Sequence, residues 1–260
     1  MCCFSRPVRS VSQTAIFARP LEDGRQVLAY AMHYRAAEPL ALVLPVPVPD
    51  GTAESAVEWI DLQGCPRLFE QLGRAFGDKP SAISRSPKNT SANLKVARVG
   101  SFEASFAPTS EDLVRLDPHF TLPPEVIAAL PEMKDRGFVI ARLHPEATTI
   151  HPIGLIFPRR HPDHVFFPTL HVHDGTVHTL AHFDHAVYVQ QTKAPANQPA
   201  ARRALRRLGQ TTLPGGIWDS IGSPLKEILD PATTNGLVIP DVPILRLRLV
   251  GQFANADLLV

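Results

Sequence analysis

Nine of the eleven histidines fall between His144 and His185, where even scatter along 260 residues would place roughly two. Within that stretch, His171, His173 and His178 flank Asp174-Gly175. An Asp-Gly pair between apolar runs reads as a two-residue hairpin turn, because Asp-Gly tolerates the positive φ such turns require. In that register His171 opposes His178, and side-chain alternation puts His171, His173 and His178 on one face. Directly opposed Cβ atoms lie about 5 Å apart, near enough for imidazoles to meet on one ion. An unbulged second strand keeps His182 and Asp184 on that face, while His185 takes the other. Imidazole ligation suits copper or zinc, so the expectation is a histidine-rich metal site. The competing reading is a polar strand face whose imidazoles meet water and backbone carbonyls.

The start of the chain, Met1-Cys2-Cys3, offers two more chemistries. Thiolates of Cys2 and Cys3 are soft ligands that would complete the histidine site. Alternatively, removal of Met1 leaves an α-amine of pKa about 7.7–8.0 beside the Cys2 thiol, and such an amine serves as base for its own side chain. That second reading is a hydrolase with Cys2 as N-terminal nucleophile. Cys65, before Pro66 at a helix start, reads as core.

Strands must position these groups. Thr14–Arg19 and Gln26–Tyr34 flank Asp23-Gly24 as a hairpin, and Leu40–Leu44 is apolar throughout, as a strand buried on both faces would be. Short helices are expected at Pro66–Leu72, after Ser110 and after Pro123-Pro124. Residues 78–93, rich in Ser, Pro, Lys and Asn, read as an exposed loop. Lys95–Ala107 and Gly137–Leu143 read as strands, Ala200–Leu208 as a short basic helix, and Ile244–Val250 alternates as a half-exposed strand. The prediction is an α+β fold dominated by a mostly antiparallel sheet, or two packed sheets, with short connecting helices. Residues 1–190 form its β-rich core and 191–260 a C-terminal extension packed on it.

The order of segments resembles the bacterial domain-of-unknown-function family 2330. The likeness rests on the "LALVLPVPVPDG" strand, on "VGSFEASFAPTSEDLVRL" and on "GFVIARL", and it spans residues 1–190. It implies a fold and supplies no activity.

Composition narrows the classes further. Twenty-six Lys+Arg balance twenty-five Asp+Glu, a formal charge of +1, so no basic field exists to hold nucleic acid. No apolar run is long enough to span a bilayer, and the first residues form no signal peptide. A cytosolic protein with reduced thiols is expected. The leading expectation is therefore a copper- or zinc-binding protein, with metal-dependent oxidoreductase chemistry left open. Its rivals are the Cys2 hydrolase and a protein-interaction domain without an ion.

Overall fold

A computed structural model describes residues 2–79, 97–99, 102–143, 148–149, 152–190, 219–220 and 229–260. The chain begins with four strands, β1 (Cys2–Phe4), β2 (Ser10–Pro20), β3 (Arg25–Arg35) and β4 (Leu40–Val46). Next come β5 (Glu58–Ile60), helix α1 (Leu68–Ala75), β6 (Ala97–Val99), β7 (Phe102–Ala107), helix α2 (Pro124–Ala129) and β8 (Gly137–Leu143). Strands β9 (Thr148–Thr149), β10 (Ile153–Pro158), β11 (Phe166–Phe167), β12 (His171–Val172) and β13 (Leu180–Gln190) follow. The last are β14 (Asp219–Ser220), β15 (Ile244–Ala254) and β16 (Leu258–Leu259).

Two sheets carry the fold. One has six strands in the order β12-β1-β4-β8-β7-β6, and the other runs β14-β15-β13-β2-β3-β10-β5 with β9 attached to β3. Most pairings are antiparallel, while β1 with β12 and β2 with β13 run parallel. The sheets pack face to face, with Leu42, Leu44 and Val139 of one against Ile16, Leu28, Val187 and Leu249 of the other.

Both sheets are also covered outside. Leu113, Leu122, Val126 and Met133 lie on Val43, Phe138 and Ile140 of the six-stranded sheet. Leu68 and Leu72 of α1 lie on Phe17, Val27 and Tyr188 of the larger one. A strand between two such layers has no solvent face, which is why β4 is apolar at every position. Pro45 survives there because β1 pairs with β4 only through Leu42 and Val43, so no partner strand on that side awaits an N–H.

The hairpin at residues 20–26 closes through a longer loop than two residues. Leu21 N–H donates to Arg25 O, Gly24 N–H to Leu21 O, and Gly24 supplies the positive φ of 83°. The single strand expected over 95–107 is two strands, β6 and β7, paired antiparallel from Val99 with Phe102 to Ala97 with Ala104. The C-terminal segment 244–254 is an eleven-residue strand of the larger sheet, paired with β13 along its whole length. Its Arg246 is buried because α1's end covers it: the guanidinium stacks 4.5 Å from the Phe76 ring and binds Asp78 at 2.9 Å. Residues 80–93 of the expected loop and the expected basic helix at 200–208 lie outside the described residues.

Candidate functional site

Asp174-Gly175 does turn the chain. Gly175 has φ of 81°, and the Asp174 carboxylate accepts the Thr176 N–H at 2.9 Å, closing an Asx turn. The two arms then part company. β12 joins β1 at the edge of the six-stranded sheet, whereas β13 enters the other sheet between β15 and β2. The segment is a connection between sheets, and the expected hairpin register is corrected accordingly.

Asn255, just past β15, explains why the arms separate. Its Oδ1 accepts the His171 N–H at 2.7 Å, and its Nδ2 donates to His171 O at 2.8 Å and His178 O at 2.9 Å. The Asn255 N–H donates to Thr179 O at 2.9 Å. One amide side chain thus takes the backbone groups that a His171–His178 pair would have used. Asp257 repeats the device two residues on, accepting the N–H groups of Thr169 and Leu170 at 3.0 and 3.1 Å. Arg136 neutralises that carboxylate at 3.3 Å.

The crossing brings together a different set of histidines from the one expected. His171 and His185 meet nitrogen to nitrogen, Nε2 to Nε2, at 2.9 Å. Their rings stack with centroids 4.7 Å apart and planes 14° apart. His173 also stacks with His171, at 4.8 Å and 18°. Phe183 lies 4.6 Å from His171, and Phe4 meets His173 edge-on at 5.6 Å. The result is a column of three imidazoles at the end of the inter-sheet core. Nε2 of His173 and Nδ1 of His185 are buried without a hydrogen-bond partner.

Burial keeps the column neutral. Desolvation lowers all three values from 6.5; like charge from the neighbouring rings reinforces it at His171 and His185, while Asp174 works against it at His173. His173 falls to about 4 and His185 to about 3, with His171 also strongly depressed. A cavity of about 470 Å³ runs beside the column, lined by the rings, by Asp174 and His178, and by Ser12 and Thr14 of β2. β2 bulges there, between Ser12 and Ala15. Gln13 holds φ of 52° at the bulge, and the Asp184 carboxylate accepts its N–H at 3.1 Å.

The metal site expected from His171, His173, His178, His182, Cys2 and Cys3 is not assembled. His171 spends its Nε2 on His185, and the exposed His178 gives its Nε2 to Asp174 at 2.8 Å. His182 is exposed on the outer face of β13, opposite Gln252. Cys3 is buried on the outer side of the six-stranded sheet, against Val43 and Ile140. Cys2 pairs through its backbone with His171, and its side chain lies outside the described residues. Among the described residues no three His, Cys, Asp or Glu side chains are grouped to hold an ion, so the copper or zinc reading is withdrawn. Cys65 is core, with its thiol raised by burial and 3.4 Å from Gln71 Oε1.

His185 and Asn255 are the residues that the sequence did not place. His185 has the parity that excluded it from a flat hairpin, and it joins the column because the strands belong to different sheets.

What fold and site define together is a β-sandwich with a helix-covered outer face on each sheet and a neutral histidine column closing one end. The same architecture occurs in baculovirus P35, with TM-score 0.52 and 13% identity over 99% of this chain and 98% of that one. It also occurs in a mutated baculovirus P35 after caspase cleavage, with TM-score 0.50 and 13% identity over 95% and 99% of the two chains. At such identity the likeness is one of fold. No family model and no curated protein matches the chain. No helix among the described residues is long and apolar enough to cross a membrane.

Proposed function

We propose that this chain acts by binding another protein, and that its partner is a protease of the caspase class. The observation that carries the reading is the end-to-end fold match to baculovirus P35, including a form of it that a caspase has cleaved. The match extends over 99% of this chain and 98% of that one. A shared fold does not by itself transfer function. The histidine column offers no rival reading, since His171 spends its Nε2 on Nε2 of His185.

The test is inhibition. Increasing amounts of the full chain are added to an active caspase, with the residual rate on a peptide substrate as the readout. The reading expects activity to fall in proportion to added chain, with the chain either retained on the protease or cut. Full activity in the presence of excess chain, with the chain neither bound nor cleaved, overturns it.

A further inference from the structure

We propose that the His171–His173–His185 column is an acid-released latch, holding the connection 171–179 against β13 at neutral pH and freeing it on protonation. This stands apart from the choice of protein partner and rests on the geometry of the rings.

The column is built from both sheets. His171 comes from β12 in one, His185 from β13 in the other, and their 2.9 Å contact is a direct hydrogen bond between the two. Such a bond needs one nitrogen as donor and the other as acceptor, so two imidazolium rings cannot make it. Ring centroids only 4.7 and 4.8 Å apart bring each added charge close to its neighbour. Phe4 and Phe183 offer no compensation from the core side.

The polar groups around the column are already engaged. Asp174 is taken by His178 and the Thr176 N–H, Asp184 by the Gln13 N–H, and Asn255 by the backbone of His171 and His178. A charge on either His171 or His185 is opposed further by any charge on the other rings of the column, whereas Asp174 eases one on His173. Thr14 and Leu249, the strand neighbours of His185, carry no charge. Protons have a route in, because the cavity of about 470 Å³ runs along the rings.

What the latch holds is weak without it. β12 is two residues long, and the connection beyond it is held by Asn255, by the Val8 N–H bond to His173 O at 3.0 Å and by Val177 packed on the cluster outside the six-stranded sheet. Segments with so few ladder bonds open locally rather than with the whole domain. Opening lets the rings return towards their ordinary value of about 6.5, so acid drives it by linkage. Protonation therefore favours the open form only as pH falls below about 6.5.

Amide hydrogen exchange on the full chain, corrected for the intrinsic effect of pH, tests this at about pH 7.5 and about pH 5. The latch predicts that residues 171–179 lose protection at the lower pH by about tenfold or more beyond any loss at β3 and β4. The exposed His178→Ala variant should retain that response, and His185→Leu, with an apolar group in the column, should weaken it. Should His185→Leu fail to fold, ring titration by NMR in the wild-type chain decides instead. Three rings titrating together, below 6.5 and in step with the exchange, support the latch. Equal protection at both pH values overturns it, as does loss spread evenly over every strand or rings titrating separately near 6.5.

Discussion

His171 and His185 sit 2.9 Å apart, Nε2 to Nε2, although each belongs to a different sheet. Both are buried, His185 to within 3% of full burial, and neither faces an unengaged carboxylate. The pair is therefore neutral, and the stability of the chain depends on its remaining so.

The pH dependence follows from that sign. In the folded chain these values are depressed, to about 3 for His185 and about 4 for His173, against 6.5 when unfolded. Between those limits the unfolded chain binds more protons, so stability falls as pH falls. The melting temperature should hold above about pH 7 and decline from about 6.5 towards 3. Thermal melts across that range check it; a flat profile down to pH 4 would contradict a buried neutral column.

Asn255 makes three side-chain hydrogen bonds to the connection between the sheets. Asn255→Ala should cost about 2–4 kcal/mol, the sum of lost bonds and stranded backbone groups. Urea unfolding measures it, and a loss under about 0.5 kcal/mol would mean water replaces the amide without penalty.

Arg136 and Asp257 form an ion pair with side chains only 11% and 6% exposed. Removing one partner from a buried pair typically costs about 3–5 kcal/mol, because the other charge is left in the interior. Asp257→Ala should fall in that range, while Arg136→Ala should cost less if the carboxylate keeps its two backbone donors. The two unfolding free energies, compared directly, test the ordering.

Leu42 is fully buried between the sheets, whereas Val114 is 85% exposed. Leu42→Ala should cost about 2–5 kcal/mol through lost burial and the cavity left behind. Val114→Ser should stay within about 0.5 kcal/mol of wild type.

Much of the sandwich can be read from local pattern. The unbroken apolar run of β4 reports a strand covered on both faces, and the alternation from Ile244 reports the start of β15. Pro124 marks the first turn of α2. The column could not be read this way. Parity along Leu170–His185 assigns faces only if both arms lie in one sheet, and here they do not. What sends them apart is Asn255, 84 residues from His171, and no local periodicity records a contact at that separation. A run of histidines around a turn therefore resembled a metal site when it is a packed junction.

Metal should consequently leave the protein unmoved. Melting temperatures after chelation and after adding copper or zinc at neutral pH should agree, because an ion bound only by the folded state would raise them by mass action. A metal-dependent rise would restore the reading withdrawn above.

The most direct test of the protein-binding account is native mass spectrometry of the full chain mixed with an active caspase. The account predicts a complex at the summed mass, with the chain intact or cut once. Two separate species at every concentration, with the chain uncut and the protease fully active, would contradict it.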